Sequence, residues 1–145
     1  SPNPGEALKP LSKIASGGEL SRIMLGIKTV LADRNDTPTL IFDEIDAGIS
    51  GKTAWRVSEK LGALSGKHQI LCITHLPQIA AMADEHLLIE KHVEGERTLT
   101  RITPLSEEES VGELARLLSA DEVTDEVMKN AAQLKDRAKK EKGRK

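Results

Sequence analysis

At 145 residues and a formal net charge of −2, the chain is long enough for one ordinary domain with a real core, and no global field draws it to nucleic acid or membrane. Phe42 and Trp55 are its only large aromatic residues, too few for a platform that stacks single-stranded bases, while the lone Cys72 excludes an internal disulfide and fits a reducing compartment. No apolar run is long enough to cross a bilayer, no signal peptide is visible, and a start at Ser1-Pro2 rather than Met reads as a piece of something longer.

Residues 1–15 read as a leading loop or arm, because Pro2, Pro4, Gly5 and Pro10 interrupt any regular element. Ser16 and Glu19 then have the spacing of a capping box. Leu20, Ile23, Met24, Ile27, Val30 and Leu31 follow on one helical face, which predicts a helix from about Gly18 to Asp33. The box accounts for Ser16 and Glu19 but not for Gly17 and Gly18. Each glycine weakens a helix start by up to about 1 kcal/mol relative to alanine. Their use would be close backbone approach, since bare amides at a helix amino end bind an anion such as phosphate. A merely flexible helix start is the ordinary alternative.

Arg34 to Pro38 form a polar turn, and Thr39 to Phe42 read as a short buried strand covered on both faces. The run ends in Asp43 and Glu44, with Asp46 two residues on. In open parallel α/β sheets, ligands sit outside the carboxyl ends of the strands. Adjacent carboxylates there suit two tasks: one holds a hard cation through oxygen, the other handles a water proton. A solvated strand end with a turn is the plainer reading.

The next stretch ends Gly51-Lys52-Thr53, like a phosphate-cradling P-loop. The first position of that pattern is Asp46 rather than glycine, and a carboxylate aimed into a phosphate nest would repel what the nest must hold. The stretch therefore reads as a turn, with Ser50 capping a helix that carries Val57, Leu61 and Leu64 inward. No other segment supplies a P-loop.

Gly66 to His68 form a turn, and Gln69 to Thr74 a second apolar strand that ends at His75. Strand, helix and strand in succession imply a right-handed parallel crossover, which puts His75 at the same sheet edge as Asp43 and Glu44. There a histidine could stabilise a developing phosphate charge. Zinc is a poor fit for Cys72 and His75, which lack a complete ligand set. A short helix from Leu76 to about Ala83 comes next, then a hairpin of Glu85–His92 and Arg97–Thr103. A helix over Glu107–Ser119 turns Val111, Leu114, Leu117 and Leu118 inward. A last helix begins at Asp121-Glu122 with Val123, Val127, Ala131 and Leu134 on its stripe. Residues 135–145 read as a basic tail that frays in solvent or touches phosphates.

Taken in order, a Ser-Gly-Gly-Glu helix start, a strand ending Asp-Glu, a turn with Asp46 and a strand ending in His resemble the carboxyl-terminal half of an ABC-type ATPase head. The likeness is strongest to the SMC-like chromosome-maintenance and repair branch, and it covers nearly the whole chain. Ser1–Glu6, Ala15–Arg22, Ile41–Gly51 and Ile73–Ala80 carry it, the last two being the specific ones. Ile45 stands where transporter ATPases of this class usually have proline, and Ile49-Ser50 where other members of the branch usually have Leu-Asp.

The resemblance implies an α/β fold of the P-loop NTPase type: parallel strands with flanking helices, a hairpin and carboxyl-terminal helices. Ser16, Gly17, Gly18 and Glu19 match the signature motif, which in that family contacts the γ-phosphate of ATP bound mainly by the opposing head. Asp43 matches the Walker B acid that holds Mg²⁺, Glu44 the residue that polarises the attacking water, and His75 the switch histidine. Asp46 matches the D-loop acid that reaches across the dimer. ATP hydrolysis in DNA double-strand break repair and recombination, in the cytoplasm at the nucleoid, is the implied function. The implied partners are DNA, the amino-terminal half of the same head and a second head in a homodimer. The P-loop would lie in that amino-terminal half, so the piece alone is expected to be inactive. A non-catalytic interaction module for DNA or protein, and a small stand-alone NTPase using Gly51-Lys52-Thr53, are the alternatives.

Overall fold

The computed structural model describes residues 5, 7, 10, 15–31, 37–95, 97–119 and 121–143. Most of the leading arm, and residues 34–36 of the turn before the first strand, lie outside them. The chain divides into two compact units, Ser1–Leu76 and Pro77–Lys145.

In the first unit, α1 (Gly17–Val30) starts at Ser16 with both halves of the predicted capping box formed. Strands β1 (Thr39–Phe42) and β2 (Gln69–Cys72) pair in parallel, in register from Thr39 opposite Gln69 to Phe42 opposite Cys72. Helix α2 (Gly51–Leu64) is the crossover between them. Leu25, Leu40, Phe42, Ile45, Ala54, Trp55, Val57, Leu61 and Leu64 form the core. His68 closes the turn into β2 by bonding the Thr37 carbonyl through Nδ1 at 2.7 Å.

Two expectations change here. The strands are covered on one face only: Leu40 and Phe42 are buried, whereas Ile41 is 69% exposed and Leu71 and Ile73 also face solvent. The apolar stripe of α1 is likewise exposed along Leu20, Ile23, Met24, Ile27, Val30 and Leu31, and Leu25 is the helix's buried large side chain. Periodicity identifies an apolar face, but what covers that face is decided elsewhere.

The second unit holds α3 (Pro77–Ala80), the antiparallel hairpin β3 (His86–Glu94) and β4 (Arg97–Leu105), and helices α4 (Glu107–Leu118) and α5 (Asp125–Lys142). Ile79, Ala80, Ala81, Met82, Leu114, Ala115, Ala131 and Ala138 are its core. Of the side chains expected inward on α4, Leu114 is buried and Leu118 is exposed. Helix α5 starts later than the acidic pair Asp121-Glu122, because Thr124 is the residue that caps it. Its buried stripe is Ala131, Lys135 and Ala138, while Val123 is exposed.

The basic segment therefore does not fray where it was expected to begin. Residues 135–142 continue α5. Lys135 donates to the Ala83 carbonyl at 3.3 Å, Lys139 pairs with Glu107 at 2.6 Å, and Lys142 pairs with Asp84 at 2.6 Å. Burial pushes the Lys135 ammonium below the ordinary lysine range, against the pull of Glu107. Among the described residues, no helix is long and apolar enough to cross a membrane.

Candidate functional site

Parallel pairing brings the carboxyl ends of β1 and β2 to one edge, and the bond from the Ile73 amide to the Phe42 carbonyl, 3.0 Å, carries the pairing one residue further. Asp43 and Glu44 leave that edge exposed to solvent. The Asp43 carboxylate accepts from the Glu44 amide at 2.9 Å. Glu44 adopts φ 55°, the left-handed region, at an expense of about 1–3 kcal/mol for a residue with a side chain. The reversal turns the chain back, so that Asp46 points inward.

Asp46 is 4% exposed. Its Oδ2 accepts from the Thr74 hydroxyl at 2.6 Å and from the His75 amide at 2.9 Å, and lies 3.0 Å from His75 Nδ1. Burial pushes this carboxyl up, but the hydroxyl, the amide and the imidazole together outweigh burial and hold it below the usual carboxylate range. The Thr74 hydroxyl also accepts from the Leu76 amide at 3.1 Å. Asp46 thus ties the strand end that carries the acids to the strand end that carries the histidine. Within this chain Asp46 is a buried strut, because its donors lie just past the end of the neighbouring strand. His75 keeps its side chain 73% exposed at the edge.

The helix start meets the same turn from the other side. A Cβ on Gly18 would stand 2.7 Å from the Glu44 carbonyl and 2.8 Å from the Ala47 side chain, and one on Gly17 would run into the Glu44 carboxylate. Gly18 is therefore required by close approach to the backbone of the chain's own acidic turn, whereas at Gly17 the Glu44 side chain could swing aside. Ser21 donates to the Asp43 carbonyl at 2.9 Å. Arg22 Nη1 donates to the carbonyls of Ile45 at 3.0 Å and Ala47 at 2.8 Å. Ser16 and Glu19 serve the cap: the Ser16 amide and hydroxyl donate to Glu19 at 2.8 and 2.9 Å, holding its carboxyl below the usual range.

Sequence reasoning missed Thr74, Ser21 and Arg22. Thr74 carries a signal, a hydroxyl ending an apolar strand beside a histidine. Ser21 and Arg22 carry little, because polar residues on a helix read as a solvated face.

Among the described residues no three His, Cys, Asp or Glu side chains stand together to hold a metal. Burial, with Asp46 and Asp43 nearby, pushes the Cys72 thiol up to about 12, so it stands as the neutral thiol. A Mg²⁺ ion that keeps most of its waters and shares a phosphate needs only one or two carboxylates, and exposed Asp43 fits that demand. Gly51-Lys52-Thr53 forms the first turn of α2, where the Thr53 and Ala54 amides already bond the Ser50 carbonyl at 3.1 and 3.3 Å. Ser50 caps through that backbone, without the predicted side-chain bond.

No family model matches the chain. Over 134 residues it is 52% identical to the DNA repair protein RecN of Bacillus subtilis (strain 168), which covers 92% of this chain and 23% of that protein. It is 54% identical over 121 residues to the RecN of Treponema pallidum (strain Nichols), covering 83% and 21% respectively. The RecN of Vibrio cholerae serotype O1 is 46% identical over 134 residues, covering 92% and 24%. The chain thus spans 21–24% of the length of these curated relatives. A solved structure from work on ATP-driven dimerization and DNA-stimulated activation of SMC ATPases superimposes with a TM-score of 0.53. It is 23% identical and covers 81% of this chain and 70% of its own. That likeness establishes the fold alone: an α/β arrangement shared with that solved chain, here with parallel strands and a hairpin.

Proposed function

This chain belongs to the RecN family of DNA repair proteins over the segment it spans, and from that premise we propose that it forms one wall of an ATP-hydrolysing site. The observation that carries the reading is the Asp46 strut, which holds His75 beside the edge where Asp43 and Glu44 emerge. Asp43 would hold Mg²⁺, largely through its waters. Held there, the ion would supply charge neutralisation for the phosphate oxygens. Glu44 orients the attacking water and accepts its proton. As the imidazolium, His75 would donate to the γ-phosphate through Nε2, and Asp46 acts through it, fixing the ring by its Nδ1 side. Phosphoryl transfer depends mainly on positioning and charge stabilisation, and this edge offers both.

The loop that cradles the β- and γ-phosphates is assigned to a part of the protein outside this chain. The same part would cover the exposed faces of β1, β2 and α1, whose apolar residues support an unpaired half. The signature stretch Ser16–Glu19 is assigned to the nucleotide of a second head, so that ATP joins two heads in a homodimer and hydrolysis releases them. The setting is double-strand break repair and recombination at the nucleoid. Contact with DNA is assigned to the full-length protein. The basic end of α5 is a weaker candidate, since Lys135, Lys139 and Lys142 are engaged within the chain.

Glu44→Gln in the full-length protein tests the reading. Turnover falls by about 10²–10⁴-fold while ATP binding is spared. Unchanged hydrolysis would remove Glu44 from its role. The isolated 145-residue chain is expected to show almost no ATPase. Vigorous hydrolysis by it would revive Gly51-Lys52-Thr53 as the phosphate loop.

A further inference from the structure

We propose that Arg22 is a positioning residue for Glu44: its guanidinium gathers the Ile45 and Ala47 carbonyls and so holds Glu44 in the left-handed conformation from which its carboxylate meets water. The inference rests on the assignment of Glu44 above and extends it to a residue on a different element.

The turn has little to hold it by itself. The Glu44 amide bonds the Asp43 carboxylate at 2.9 Å, and the Ala47 amide bonds the Glu44 carbonyl at 3.0 Å. Neither bond obliges a glutamate to sit at φ 55°. Such a conformation persists only where the surroundings over-determine it. The surroundings here come from α1. One guanidinium nitrogen takes two carbonyls, Ile45 at 3.0 Å and Ala47 at 2.8 Å, which draws the downstream side of the turn together. The Ser21 hydroxyl takes the Asp43 carbonyl on the upstream side. Glu44 is therefore gripped on both flanks by consecutive residues of one helix. Gly18 leaves the space this needs, since a Cβ there would come within 3.0 Å of Arg22 Nη1. A lysine could offer two donors from its ammonium but on a flexible stem rather than a planar, pre-organised group.

The helix that opens with Ser16–Glu19 and the turn that carries Glu44 are thus joined by side-chain bonds on both flanks of Glu44.

The test uses full-length protein and compares wild type, E44Q, R22Q, R22K and the double variant R22Q/E44Q. R22Q lowers kcat by about 10–100-fold with KM for ATP unchanged, as expected for a displaced water-orienting group. R22K recovers part of the loss. R22Q adds nothing on the E44Q background, because the two residues act as one unit. A purely structural Arg22 would lower the melting temperature and add its effect to that of E44Q. Wild-type kcat in R22Q, or an additive double variant, overturns the inference. Should R22Q fail to fold, S21A at the exposed rim carries the same test, expected to lower kcat except on the E44Q background, and wild-type kcat in S21A overturns it. If E44Q loses turnover while R22Q and S21A do not, only this inference falls. If wild type hydrolyses no ATP, or E44Q hydrolyses normally, the reading beneath it falls as well.

Discussion

The Asp46 carboxylate, two residues past a left-handed Glu44, lies 3.0 Å from the His75 imidazole, and the same oxygen accepts from the His75 amide at 2.9 Å. One buried oxygen thus sets where the second strand end can go. Asp46→Ala leaves the Thr74 hydroxyl and the His75 amide without their acceptor, and costs about 1–3 kcal/mol of stability in urea unfolding. The pH dependence follows from the depressed carboxyl: the stabilisation is present above the unfolded value near 3.8 and is lost as pH falls through the lower folded value. In acid titrations the advantage of wild type over Asp46→Asn therefore disappears below the ordinary aspartate range. An advantage that persisted there would mean the ionised carboxylate is not what matters.

Two glycines of α1 should respond to alanine with opposite signs. Gly18→Ala drives a methyl group to 2.7 Å from the Glu44 backbone carbonyl, which cannot step aside as a side chain would. Gly26→Ala meets nothing within 4 Å and gains about 0.5–1 kcal/mol from helix propensity and a less disordered unfolded chain. Thermal melts of the two variants separate a packing requirement from a general tolerance. Equal stabilisation by both would mean that α1 does not press on the acidic turn.

Lys135 offers a pH dependence of the other sort. Its ammonium is buried, so protonation is disfavoured in the folded chain relative to the unfolded one. The unfolded state then binds more protons as pH climbs from the folded value towards 10.5, and stability rises over that window. Lys135→Met removes the bond to the Ala83 carbonyl together with the burial penalty, and is expected to be near neutral at pH 7. Relative to that variant, wild type gains stability with rising alkaline pH. Denaturant midpoints from pH 7 to 10 check the slope, and a falling difference would reverse the assignment.

Local signals in the sequence located the elements, and non-local ones decided their surroundings. The Ser16–Glu19 spacing and the apolar runs ending at Asp43 and before His75 depend on a few neighbouring residues, and they located α1, β1 and β2, although β2 stops at Cys72 rather than Thr74 and α1 at Val30 rather than Asp33. The inward turn of Asp46 depends on donors 28 and 29 residues away, which no local pattern reveals. Lys135 looked like tail charge, although it lies on the same face as Ala131 and Ala138, spaced i, i+4 and i+7. Thr124 displaced the start of α5 because a hydroxyl cap outranked the acidic pair before it. The left-handed Glu44 was illegible, since no residue type there announces positive φ.

The exposed stripe on α1 makes a prediction that depends on how much of the protein is present. Ile27 is 46% exposed, in line with Ile23, Met24, Val30 and Leu31. In the isolated chain, Ile27→Glu replaces an apolar side chain that water already touches, so stability moves by no more than about 0.5 kcal/mol. It also removes part of a sticky surface, and the variant stays monodisperse at concentrations where the wild-type piece self-associates. In the full-length protein the proposed covering half puts position 27 against apolar partners, and the same glutamate becomes a buried charge without a counter-ion. Several kcal/mol of stability and most ATPase activity should then be lost. The comparison of calorimetric melts for the two lengths, each with and without the substitution, reads this directly. Equal and small effects in both would leave the face exposed in the whole protein, and the covering half would have to sit elsewhere.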